Sequence, residues 1–149
     1  MDGLNNGTLR LNAVELRPDT PVKQMKHLFP DAIITENASA DSVFIRCIKP
    51  LRADDLTVLG EFNFVGGYPN VVILRPVVLY PEWVVQPGDR QAFRREICDS
   101  WLAKRLGIPN SVSQQETRYA YSWGTISSVS HIGPNYASDG GYLCLRYVR

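Results

Sequence analysis

The sequence predicts an α+β domain: an antiparallel sheet of about six strands, with one long amphipathic helix packed on one face and one short helix nearby. Three observations predict it. Segments rich in β-branched and aromatic residues recur between clusters of Gly, Pro, Asn and Asp. One stretch near residue 100 carries its apolar residues at helical spacing. No repeat, charge block or low-complexity tract divides the 149 residues, so a single domain over 1–149 is expected. At 44% hydrophobic and 21% charged residues, the chain is long enough to take about 68–70% of its unfolded surface out of water.

From Thr8, the run Thr-Leu-Arg-Leu-Asn-Ala alternates polar and apolar residues, then slips phase at Ala13-Val14, which predicts a half-buried strand with a bulge. Thr20-Pro21 reads as an N-cap followed by proline at the first helical position; Val22, Met25, Leu28 and Phe29 then recur at helical spacing until Pro30. A β-meander follows. Ser42 to Lys49 is a strand, and Pro50 with Asp54-Asp55 supplies turn chemistry. Thr57 to Val65 places Val58, Gly60, Phe62 and Phe64 on one face. Gly66 to Asn70 is a five-residue hairpin loop, and Val71 to Leu79 returns as a central strand apolar on both faces, bent or bulged at Pro76.

The clearest element runs from about Arg90 to Leu106, where Phe93, Ile97 and Trp101, with Cys98, Leu102 and Leu106 one stripe over, define one apolar face. Burying six such side chains is worth roughly 10 kcal/mol before entropy, comparable with a whole domain's net stability, so this helix packs on the sheet. Asp89 is placed as its N-cap, and Gly107 with Pro109 ends it. After a polar loop, Asn110 to Gln115, one strand contains Tyr119 to Thr125 and the last runs from Gly141 to Val148. Ser130 to Gly140 between them is a long hairpin loop.

Composition excludes several functions. With 16 basic against 15 acidic residues and a net charge of +1, a general nucleic-acid or membrane-surface binder is not expected. Cys47, Cys98 and Cys144 are far apart among apolar neighbours and read as buried free thiols of a reducing cytoplasm. The amino terminus has no signal-peptide pattern, and Arg75, Pro76, Pro81 and Glu82 interrupt the greasiest stretch, so a cytoplasmic protein is expected. His27 and His131 have no ligand partners at metal spacing, and Gly66-Gly67 and Gly140-Gly141 match no phosphate-binding fingerprint; no metal and no cofactor are expected. Arg90, Arg94, Arg95 and Lys104 form a basic helix face diluted by Glu96 and Asp99. Tyr119, Tyr121 and Trp123 share one strand face, read as a core face opposite the long helix.

Three segments of the carboxy-terminal third carry a resemblance: the helix ending Trp101-Leu102-Ala103-Lys104-Arg105-Leu106-Gly107, the Tyr121-Ser122-Trp123-Gly124-Thr125-Ile126 strand, and the final Asp139-Gly140-Gly141-Tyr142-Leu143-Cys144-Leu145-Arg146-Tyr147 strand. Over about 60 residues they resemble small bacterial immunity proteins of polymorphic toxin systems, delivered by contact-dependent inhibition or type VI secretion. The resemblance implies a non-enzymatic cytoplasmic inhibitor that binds one cognate toxin domain. The loops best able to present anchors offer Asp54, Asp55, Tyr68, His131, Tyr136 and Asp139 as partner-binding residues, the acids suiting a basic nuclease surface. Two other readings stand beside it. One is a small-molecule module with a pocket lined by Phe62, Phe64, Trp101 and Trp123; the other is an enzyme using His131 with Asp139 or a tyrosine.

Overall fold

Where the alternation near residue 13 slips phase, the chain turns back on itself. The computed structural model describes residues 3–26, 29, 31–131 and 140–148. In it β1 (Leu9–Leu11) and β2 (Val14–Leu16) form a hairpin, and the expected bulge is its turn, with Asn12 at φ 54°. Asn tolerates this left-handed backbone, and here its backbone N–H and side-chain oxygen clasp both sides of Arg52 at 2.8 and 2.9 Å. The short helix α1 covers only Val22–Lys26. Thr20 does not cap it: its hydroxyl accepts from the Arg17 N–H at 2.8 Å, and the Val22 N–H finds the Gly67 carbonyl instead. His27, Leu28 and Pro30 lie outside the described residues.

The remaining strands are β3 (Ile33–Asn37), β4 (Ser42–Arg46), β5 (Leu51–Ala53), β6 (Leu56–Val65), β7 (Tyr68–Pro76), β8 (Ser111–Val112), β9 (Glu116–Tyr121), β10 (Gly124–Val129) and β11 (Tyr142–Tyr147). They make one nine-stranded sheet, ordered β3-β4-β6-β7-β11-β10-β9-β8, with β5 pairing β6 beyond the end of β4. Every pair is antiparallel. About six strands were expected, and the excess has physical causes. Strand β3 is exposed throughout, so it lacks alternation; β5 and β8 are three and two residues long. The stretch Tyr119 to Thr125 is not one strand, since Ser122-Trp123 turns between β9 and β10.

The meander keeps its predicted core face, with Val58, Phe62 and Phe64 at most 1% exposed. Its loop is shorter than expected: Gly66 and Gly67, at φ 63° and 84°, form a two-residue turn of the primed kind that suits the strand twist. The irregularity expected at Pro76 lies instead at the other end, between Asn63 and Phe64, where Asn70 is the extra residue and Pro69 has no N–H for the ladder. Pro76 simply ends β7.

Helix α2 spans Pro87–Leu106, one turn longer than predicted. Proline at its first position gives up only a donor that has no helical partner. Asp89 is therefore inside the first turn, where its carboxylate accepts from the Gln86 N–H at 3.3 Å. Cys98, Trp101 and Leu102 are buried in the core while Phe93, Ile97 and Leu106 are half-buried. Together with the segment carrying Leu4, Leu9, Leu11, Leu16, Met25 and Phe29, α2 covers one face of the sheet; all join a single apolar cluster, with Phe29 stacked on Phe62 at 5.4 Å.

The basic helix face is not the solvated patch that its spacing suggests. The Arg95 side chain is only 13% exposed, and its guanidinium donates to the Asp99 carboxylate, the Ser113 and Gln114 carbonyls, and the Thr117 and Ser130 hydroxyls at 2.9–3.2 Å. Arg94 donates to the Gly140 carbonyl at 2.6 and 3.1 Å and to Tyr80 Oη at 2.7 Å. One helix thus ties down the β8–β9 turn and both ends of the 131–140 connection. Arg95→Ala is expected to lower stability by about 3 kcal/mol, roughly 10 °C in Tm, because it leaves several carbonyls and hydroxyls in a partly dry site without a donor. A thermal melt followed by circular dichroism measures this, and a fall under about 3 °C would contradict it.

Candidate functional site

After Pro76 the chain leaves the sheet but stays apolar: Val77-Val78-Leu79-Tyr80-Pro81-Glu82-Trp83-Val84-Val85. Three anchors hold this segment against α2. Tyr80 and Trp83 set their rings against Phe93 at 5.7 and 6.0 Å, Arg90 lies over the Tyr80 ring at 5.3 Å, and Val84 is buried. The anchoring leaves Leu79 and Val85 outward, 97% and 67% exposed, and Trp83, which meets Phe93 only by its edge, stays 63% exposed. Contiguous apolar exposure of this kind is uncommon on a solvated surface and marks contact sites, with Trp the residue type richest in binding energy. An open groove of about 400 Å³ adjoins it, floored by Leu56, Phe93, Ile97 and Trp101 and bordered by Asp55, Glu96 and Lys104.

Of the predicted contact residues that the structure describes, Tyr68 stands at the far end of the sheet from Asp54, Asp55 and His131. Asp54 and Asp55 form the turn between β5 and β6, with Asp54 at φ 56°. They are not free acids: Arg105 donates to Asp54 at 3.1 Å and to Asp55 at 2.7 Å, and Lys104 approaches Asp55 at 3.6 Å. Arg105 is held in turn by the Trp101 ring, 4.1 Å away, and the Trp101 carbonyl. The hydrogen bond from Arg105 keeps the Asp55 carboxyl below its usual range. Tyr68 opens β7 at the opposite end of β6, a ten-residue strand about 30 Å long. It is 43% exposed. His131 follows β10 at the Asp55 end of the sheet, where Gln91 brackets its backbone and its Nε2 meets Tyr142 Oη at 3.3 Å. Tyr136 and Asp139 lie outside the described residues.

The four residues that would line a ligand pocket are engaged in packing. Phe62 and Phe64 are sealed in the core, the Trp101 indole donates to the Ala53 carbonyl at 3.2 Å, and the Trp123 indole donates to the Asn5 carbonyl at 2.9 Å. Trp123 also stacks with Tyr121 at 5.8 Å. Tyr119 is a core residue, as its strand face implied, and its hydroxyl donates to the Gly107 carbonyl.

The chain matches no family model, no curated protein and no solved structure. The likeness to immunity proteins thus rests on the motifs of the carboxy-terminal third alone. No helix among the described residues is long and apolar enough to cross a membrane.

All three cysteines are buried free thiols. Burial pushes Cys98 up to about 12 and Cys47 up to about 11, and raises Cys144. A neutral, enclosed thiol is a poor nucleophile. The folded protein is therefore expected to resist a thiol-specific disulfide reagent at mildly alkaline pH and to release three equivalents once denatured. Because the folded thiols hold their protons more tightly than unfolded ones, their contribution to stability is intact below pH 9.0 and is lost as pH rises toward about 12. Rapid labelling of the native protein would contradict this burial.

What the sequence reading missed is the exposed segment. Its signal was present: an apolar run that continues past a strand-ending proline with neither period 2 nor period 3.6.

Proposed function

We propose that the protein is a non-enzymatic immunity protein that acts in the bacterial cytoplasm, binding and neutralising a cognate secreted toxin domain by covering its active site or a neighbouring surface. The observation that carries the binding role is the outward presentation of Leu79, Val85 and most of the Trp83 ring on a segment that Tyr80, Val84 and the edge of Trp83 fix to α2. Preformed anchors of this type lose little freedom on association, so their burial converts efficiently into affinity. The pairing of Asp54 and Asp55 with Arg105 and Lys104 supports the same placement. The toxin as partner follows from the resemblance of the last third to immunity proteins. Buried, neutral cysteines agree with a role that makes and breaks no covalent bonds.

The test captures partners from the native cell with the wild-type protein and with the Leu79→Asp/Trp83→Ala variant. The expected result is one protein retained by the wild type and lost by the variant, which stops growth when expressed alone and is tolerated when co-expressed with this chain. A captured partner with no effect on growth, or one that both proteins retain equally, would overturn the reading.

A further inference from the structure

The face of the sheet opposite α2 is covered by no described element, and the register places its side chains in continuous rows. Arg46, Glu61, Ile73, Cys144, Ser127 and Arg118 form one row across six strands. The next holds Phe44, Asn63, Val71, Arg146 and Thr125. Arg75, which faces Leu59 across the strands, belongs to a third. Every cation in these rows is arginine. Arg94, Arg95 and Arg105 use their donors on the protein's own carbonyls, hydroxyls and carboxylates, but Arg46, Arg75, Arg118 and Arg146 share this one face, in which the small Cys144 and Ser127 lie buried between longer neighbours.

Two of the four are matched. Arg75 pairs with Glu61 at 3.2 Å and Arg118 with Glu116 at 2.5 Å. Arg46 and Arg146 are exposed and meet no carboxylate among the described residues: the cross-strand neighbours of Arg46 are Ile33 and Glu61, the latter already taken, and those of Arg146 are Val71 and Thr125. With Arg52, which faces Thr57 in the row beyond Leu59, five arginines against two glutamates leave the face at +3, in a chain whose total is +1.

We propose that this face docks an acidic protein segment, with Arg46 and Arg146 each receiving a carboxylate. Their backbones stand about 16 Å apart, three strand spacings across and two residues along, which sets the separation of the acids on the partner. Arginine is the side chain suited to the task, because its planar fork grips a carboxylate with two parallel hydrogen bonds and sheds water more readily than an ammonium. A nucleic acid fits less well. Its phosphates would lie against Glu61 and Glu116, and the Tyr142 ring, the natural stacking surface beside these rows, is already covered by Arg75 at 4.9 Å. The face lies across the sheet from the Leu79–Val85 segment, so the inference does not rest on the toxin reading.

The experiment measures fluorescence anisotropy of labelled oligoglutamate, and of oligothymidylate of equal charge, with the full chain at low ionic strength. Oligoglutamate is expected to bind with an affinity that falls as salt is added. Arg46→Gln/Arg146→Gln is expected to weaken it about tenfold, and Arg46→Glu/Arg146→Glu to abolish it. Lys23→Gln/Lys49→Gln removes the same charge elsewhere and is expected to change it less than about twofold. Circular dichroism checks that each variant is folded, as expected for exposed positions. Absence of oligoglutamate binding, equal weakening by the lysine variant, or tighter binding of oligothymidylate would each overturn the proposal, the last by assigning the face to a nucleic acid.

Discussion

Gly124→Ala is expected to cost more than about 4 kcal/mol, enough to consume much of a domain's net stability. Gly124 opens β10 at φ 148°, and a Cβ there would stand 1.9 Å from the Arg146 carbonyl oxygen and 3.1 Å from Tyr147 Cα. These are backbone atoms of β11, which cannot retreat without opening the ladder in which Gly124 faces Tyr147 and Thr125 faces Arg146. Tyr147 is fixed from the other side too, by the Trp123 ring at 5.2 Å and by its hydroxyl on the Gly7 carbonyl at 3.0 Å. Gly67→Ala provides the comparison. Its φ is 84°, but nothing lies within 4 Å of the added carbon, so only the backbone strain of about 1–2 kcal/mol is charged. Urea unfolding followed by tryptophan fluorescence separates the two; costs within about 1 kcal/mol of each other would show that β11 yields more easily than its contacts imply.

Leu79→Asp combined with Trp83→Ala is expected to weaken partner binding by more than about a hundredfold with little change in Tm. An anchor worth at least 2 kcal/mol contributes roughly thirtyfold, and two neighbours compound, although not additively. At 97% exposure Leu79 has almost no packing to lose within its own chain, and Trp83 gives up chiefly its edge contact with Phe93. Titration calorimetry against the captured partner reads the affinity. A dissociation constant within about threefold of wild type would place the interface elsewhere.

The residues with a strong period declared themselves. The alternation in β6 and the helical positions Cys98, Trp101 and Leu102 translate directly into buried faces, because burial on one side is what creates the period. The turn made by Asn12 was harder to read: a polar residue in left-handed backbone leaves no mark as clear as Gly-Gly, so its hairpin looked like a bulge, while Asp54-Asp55 did read as a turn and only the three-residue strand before it went unseen. Edge strand β3 was invisible for the opposite reason, having no buried side. The candidate surfaces were less legible still. Arg95 and Arg46 are the same residue type, yet one is an internal tie and the other an open charge, and only the fold distinguishes helix flank from bare sheet. Asp54 and Asp55 looked available because their partner Arg105 is some fifty residues away.

The sheet consists of two local meanders, β3 to β7 and β8 to β11, joined along a single seam of four residue pairs between β7 and β11. Each meander closes on near neighbours, whereas the seam joins Val71–Leu74 to residues made about seventy positions later. During synthesis the first meander therefore leaves the ribosome with the Val-Val-Ile-Leu edge of its last strand bare. That edge is an aggregation-prone surface, and it stays open until β11 arrives to close it.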